Sequence, residues 1–258
     1  MKKKRKNLLV AAFVLAAVLG IGKISEGVRM NETRVLTSNQ LNMLLAYGTA
    51  QERIDQQAFS DAEKMMLQAV EQAEAYLYRH YPDERFSFVG MDNTSPRNKL
   101  YVFTAVSKEE PEETFAVRAQ WQDKKDEPFI IMESHFADLK RDELFSMIED
   151  AFAAHGVQAK CDLEIVGLFG ETYTAHKTLA SALEAKCPVD ISGWVLASNV
   201  ESLESLKQTL ETELAEMGLT GGFRIFVVEG VSLDEAIARP RTDKSFVANE
   251  IYVSLHAK

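Results

Sequence analysis

The chain has 258 residues, 46% of them hydrophobic and 26% charged, an ordinary globular composition long enough for one large core or two modest ones. The formal net charge is −10, but Lys2, Lys3, Lys4, Arg5 and Lys6 supply five of the 29 cations, leaving 24 against 39 anions and a body of −15. A body that acidic repels phosphate backbones, which excludes nucleic acid as a partner.

The first six residues, MKKKRK, precede an uncharged run over residues 8–22 that Lys23 closes. A basic flank before an apolar run is an export signal whose basic end stays inside. The run is shorter than the ~20 residues of a full membrane span. Yet it offers only Gly20 and Gly22 as small residues near its end, and no cysteine for a lipid. Two outcomes stay open: an N-terminal hydrophobic helix that anchors the chain in the cell membrane, or a cleaved signal and a secreted body. Both place the C-terminal body outside the cytoplasm. The chain divides at 1–24 (signal or anchor), 25–59 (linker and juxtamembrane helix), 60–156 (helix plus antiparallel meander) and 157–258 (mixed α/β half).

A helix opens at Thr37 or Ser38, with Leu41, Leu44 and Leu45 on one side. Gly48 costs it about 1 kcal/mol relative to Ala, so it either stops there or runs on towards Phe59. The central stretch is 61–136. In DAEKMMLQAVEQAEAYLYRH, residues Ala62, Met65, Met66, Ala69, Val70, Ala73, Tyr76 and Leu77 recur at helical steps, with Ser60 or Asp61 to cap the start and Pro82 to block continuation. The period then changes to two. Phe115, Val117, Ala119 and Trp121 alternate with Ala116, Arg118, Gln120 and Gln122, which buries one strand face and wets the other. Similar runs at 86–91, 100–106 and 129–132, separated by polar turns holding Pro96, Pro111 and Pro128, predict a four-stranded antiparallel meander. The helix should cover its apolar face.

Beyond it, Leu144, Phe145, Ile148 and Phe152 make a helical stripe that Gly156 stops. Strand and helix then alternate: strand 158–168, helix 174–186, strand 191–197, and a helix to Met217 opened by a Ser198/Glu201 capping box with Leu203, Leu206, Leu210 and Leu214 inward. Strand 223–228, a short helix capped by Ser232 with Glu235, and strand 246–255 follow. Gly221-Gly222 reads as a turn. The fold class is α+β: a helix packed on an antiparallel four-stranded meander, followed by a smaller mixed α/β layer.

The charged N-terminal segment, the YLYRHYPDERFSFVG segment ending the central helix, and AVRAQWQDKKDEPFIIMESHFADLKRDEL together resemble exported or membrane-anchored proteins of Gram-positive bacteria with a cystatin- or PepSY-like helix-on-sheet region. The resemblance covers roughly residues 60–155. It implies that fold and an extracytoplasmic site, and it carries no catalytic residue across.

No catalytic or cofactor motif emerges. His80, His135, His155, His176 and His256 lack ligand spacing for a metal. The paired acids Glu109–Glu110, Glu112–Glu113 and Glu149–Asp150 fall in turns or on helix surfaces, where solvated charge is the default. No serine lies in G-x-S-x-G or S-x-x-K, and Gly167-Leu168-Phe169-Gly170 lacks the third glycine and the Gly-Lys-Ser/Thr ending of phosphate loops. Cys161 and Cys187 form either a disulfide or two thiols. Arg118 and Gln120 point outward from the best-defined strand and form the candidate binding surface. The reading is a membrane-tethered, non-catalytic module for a protein, peptide or cell-envelope component, without cofactor; an exported hydrolase-like enzyme is the alternative.

Overall fold

A computed structural model describes residues 35–258 apart from 93, 110, 125, 126, 240, 241, 243, 257 and 258. The expected anchor at 8–22 lies outside the described residues. Among the described residues no helix is long and apolar enough to cross a membrane.

Helix α1 (Ser38–Ala46) starts on a capping box between Thr37 and Gln40, and Gly48, at φ +87°, turns the chain away. Short α2 (Gln51–Asp55) follows, so the helix stops at the glycine. Leu44 is buried, but Leu45 is exposed and Asn39 and Gln40 are buried, contrary to the leucine side the sequence suggests. The reason lies in the packing of α1 on a sheet edge, where amides serve better than methyl groups. The central helix α3 (Asp61–His80) has the expected bounds and closes its own capping box through Ser60 and Glu63. Its buried face holds Met66, Ala69, Val70, Ala73, Tyr76 and Leu77 as expected, with Leu67 and Glu63 added.

Four strands follow: β1 (Phe86–Met91), β2 (Leu100–Ser107), β3 (Thr114–Trp121) and β4 (Phe129–Glu133), joined in sequence order as an antiparallel meander. Phe88, Tyr101, Phe103, Ala105, Phe115, Val117, Ala119, Phe129 and Ile131 face inward and are buried. Helix α3 meets β3 and β4 on that side.

The link to the second half is α4 (His135–Leu139), which the sequence reading lacks, and α5 (Arg141–Ala153). The second sheet takes β5 (Gln158–Val166), β6 (Val189–Ser198), β7 (Leu219–Val228) and β8 (Val247–Leu255) in that order. It is mixed: β6 and β7 run parallel, and both edge strands are antiparallel to their neighbours. Helix α8 (Leu203–Glu216) makes the crossover between the parallel pair. The second layer is therefore not the smaller one. Its strands are 9 or 10 residues long against 5 to 8 in the meander. One face meets α5, α7 (Leu179–Glu184) and α8 over a core that includes Ile148, Phe152, Leu163, Val195, Leu210, Leu214, Phe223 and Ile225. The other packs Leu196, Phe226, Val228 and Phe246 around α9 (Leu233–Ile237).

Three expectations fail locally. The helix at 174–186 is two pieces, α6 (Glu171–Thr174) and α7, because Thr178 and Ser181 form a capping box that restarts the chain. The capping box at Ser198/Glu201 is not used: Ser198 ends β6, and Ser202 caps α8 through Ser205 N–H. Gly221 and Gly222 lie inside β7 rather than in a turn, since a Cβ on Gly221 (φ +86°) would sit on the β6 backbone at Ile191 and on Asp190. Close approach of two parallel strands requires glycine there.

Candidate functional site

Strand alternation decides what the meander shows to solvent. Its outer face carries Ser87, Val89, Leu100, Val102, Thr104, Val106, Thr114, Ala116, Arg118, Gln120, Ile130 and Met132, and none of these is buried. Val89 is 55% and Ile130 45% exposed. Arg118 is the one charged residue among the twelve, and the register sets it between Val102 of β2 and Met132 of β4. Its Nη2 donates to Gln120 Oε1 at 3.3 Å, and Gln120 Nε2 donates to Asn98 O at 3.2 Å. Arg118 Nε is shielded from solvent and meets no acceptor among the described residues. A guanidinium with spare donors, set among half-exposed aliphatic side chains, suits a protein surface that supplies apolar contact and a carboxylate. Both residues named from the sequence thus lie on this outer face, half-buried and bonded to each other.

A second group of titratable side chains converges beneath, and sequence reasoning missed it. Glu133 is fully buried at the end of β4. Its Oε1 accepts from Tyr81 O–H at 2.8 Å and its Oε2 from Phe136 N–H at 2.9 Å. Burial pushes its carboxyl up to about 7, against the pull of those donors. The same burial, helped by the Glu133 charge, raises the Tyr81 phenol far above its ordinary range. Beside them, buried His135 meets Glu84 Oε2 at 2.9 Å, and Ser107 O–H donates to the same oxygen at 3.1 Å. The signal was present: Phe129 and Ile131 are inward, so the next inward position of that strand is an acid.

Glu133 also joins the two halves. Its backbone N–H donates to Phe169 O at 3.0 Å, and its carbonyl oxygen accepts from Phe169 N–H at 2.7 Å. Nearby, Thr174 Oγ1 lies 2.8 Å from Tyr76 Oη and 3.2 Å from His80 Nδ1, linking α3 to α6. The turn at 167–170 is therefore a clasp between the layers. No route leads a substrate to Glu133, because the carboxyl has no exposed surface.

Cys161 and Cys187 are both free and buried, so the disulfide the sequence leaves open is not formed. Burial raises the Cys161 thiol well above its usual range, which makes it unreactive. Among the described residues no three His, Cys, Asp or Glu side chains gather as a metal site. Two open grooves of about 540 and 470 Å³ meet at Ser198, Asn199 and Val228, past the C-terminal ends of β6 and β7.

No family model matches the chain, and no curated protein does. Among solved structures, a DUF5037 family protein from Ruminococcus gnavus is similar at 16% identity over 64% of this chain and 77% of that one, with a TM-score of 0.32. A likeness at that score carries no argument, and the exported, PepSY-like resemblance stays an expectation from the sequence.

Proposed function

We propose that the chain is an exported, membrane-tethered, non-catalytic module whose meander binds a protein, peptide or cell-envelope component through its outer face. The observation that carries this reading is Arg118, a lone cation with unused donors at the centre of an uncovered and largely aliphatic sheet face. Export and tethering rest on the basic flank and uncharged run of residues 2–22. The competing reading, an exported enzyme, has the Tyr81–Glu133 and Glu84–His135 pairs in its favour, and the burial of Glu133 and His135 against it.

Two measurements test the reading. A reporter that fluoresces only in the cytoplasm, fused after Lys258, should stay dark, and a bright fusion would overturn export. Cross-linking in whole cells through a photoreactive residue at Val102 should trap one partner. Arg118→Glu should abolish that adduct while the unfolding temperature holds. Retention of the adduct in the variant removes the outer face as the binding surface.

A further inference from the structure

At the β1 edge of the meander, among β1, α1 and α3, lies a cleft of about 170 Å³. It is well short of the ~300 Å³ of drug-sized sites, and suits a single side chain. Leu77 and Phe88 supply an apolar floor and are almost wholly buried. The carboxylates of Glu74 and Glu84 line it, as do the rings of Tyr78 and Phe86, with Asn39 and Arg85 at its wall. Glu74 Oε1 accepts from Asn39 Nδ2 at 2.9 Å and from Thr37 O–H at 3.2 Å, while Glu84 Oε2 is held by His135 and Ser107. Both acids are thus oriented by neutral or imidazole partners, and neither is paired with a lysine or arginine among the described residues. Burial, with repulsion from Glu71, raises the Glu74 carboxyl above its ordinary value, as expected of an acid that lacks a cation.

An independent observation points to the missing charge. The Tyr78 ring, 63% exposed, already has a cation over it: Arg85 Cζ stands 5.8 Å from its centroid. Yet Arg85 spends Nη1 on the carbonyls of Pro82 and Glu84 and on neither carboxylate. The aromatic wall attracts cations, and the chain's own arginine leaves the acids unused.

We propose that this cleft receives a lysine or arginine side chain of a partner protein. Its aliphatic stem lies against the half-buried Phe86 ring, over the floor that Leu77 and Phe88 support, and its charged head sits between Glu74 and Glu84 beside the Tyr78 ring. The cleft is at the β1 edge and not on the outer face, so the proposal stands or falls apart from Arg118.

The full chain, labelled with ¹⁵N, is titrated at physiological salt with acetyl-Gly-Lys-Gly-amide and with the same peptide carrying norleucine, which keeps the stem and lacks the charge. The lysine peptide should give saturable shifts at the amides of Leu77, Phe86 and Phe88, and the norleucine peptide none. Glu74→Gln, which preserves a hydrogen-bonding side chain, should weaken binding about tenfold, the worth of one charge-assisted contact. Tyr78→Ala should weaken it with no change in unfolding temperature, because that ring is largely exposed. Arg85→Gln should tighten it by removing a like charge. Equal shifts from the norleucine peptide overturn the proposal, as do lysine shifts that spread over the acidic surface and survive both weakening variants. Absence of saturable shifts at the three amides overturns it too.

Discussion

The two sheets have four strands each, and differ in how their outer faces meet solvent. The second is covered by α5, α7 and α8 on one side, while α9 with Phe246 covers only part of the other, where Glu164, Val166, Arg224, Glu250 and Tyr252 stay exposed. The meander has a core on one face, and the twelve side chains of its other face stay at least partly wet. The strands themselves carry the difference. In β3 an inward Val117 and Ala119 alternate with Arg118 and Gln120, whereas β6 and β7 run Val195-Leu196-Ala197 and Ile225-Phe226, apolar at consecutive positions. A strand without alternation demands cover on both sides, and a strand with it leaves a face free for binding.

The largest expected effect tests the covered sheet. Leu210→Ala removes a fully buried side chain of α8, and should cost about 2–5 kcal/mol. A denaturant midpoint within error of the parent would mean that α8 is not packed as described.

Next comes the joint between the sheets. The folded-state carboxyl of Glu133 lies near 7 instead of 4.5. A raised value means that the folded protein holds the proton more tightly than the unfolded chain. Stability from this group is therefore full below about 4.5, and it is lost as pH rises through about 7. The shift corresponds to about 3 kcal/mol. Glu133→Gln, which cannot ionise, should flatten the fall in unfolding free energy across that window. An unchanged pH profile in the variant would show that the charge is not suppressed. Glu63 gives the opposite sign. Burial raises its carboxyl, but hydrogen bonds from Ser60, Thr49 and Arg53 outweigh that and hold it down to about 2. Its stabilising contribution is present above about 4.5 and is lost as pH falls towards about 2. Glu63→Gln should therefore lessen acid unfolding and leave the neutral-to-alkaline limb to Glu133.

A smaller effect concerns the meander's edge. Asn39 Oδ1 accepts Phe88 N–H at 2.9 Å, its Nδ2 reaches Phe86 O at 3.4 Å, and Asn42 Nδ2 donates to Phe88 O at 3.1 Å. These two amides stand where a fifth strand would pair, and they blunt an open edge. Asn39→Ala leaves a buried N–H without its partner, at a cost of about 1–3 kcal/mol. Amide exchange at Phe88 should quicken more than elsewhere in the sheet; uniform exchange across the four strands would refute the edge role.

The smallest effect belongs to the open face. Val102→Thr should change stability by no more than about 0.5 kcal/mol, as substitutions at exposed positions do. A loss comparable with Leu210→Ala, measured in the same denaturant series, would show that something covers that face.

Much of this architecture was readable in the residues. The bounds of α3 follow from its caps, those of β1 from its flanking polar turns, and the antiparallel order of the meander from short separators that leave no room for a crossover. Arg118 and Gln120 could be placed on one face because period two needs no knowledge of the neighbours. The capping signals were less decisive. Ser198 with Glu201 has the same local chemistry as Ser232 with Glu235, yet only the second pair is used, because pairing with β7 extends β6 through Ala197.

By itself, then, the sequence determined the acidic body, the basic N-terminal flank, the α+β class and the parity of β3, since all of these arise from composition or from contacts a few residues apart. Only the tertiary structure decided that the second layer is the larger, that Gly193 and Gly221 sit where neighbouring backbones leave no room for a Cβ, and that Cys161 and Cys187 stay apart as thiols. It alone joined Tyr81 to Glu133 across 52 positions, Glu84 to His135 across 51 and Asn39 to Phe88 across 49. Such pairs follow no period. Whether a carboxyl is solvated, paired or held near 7 depends on what folds over it, and a chain read in order does not contain that information.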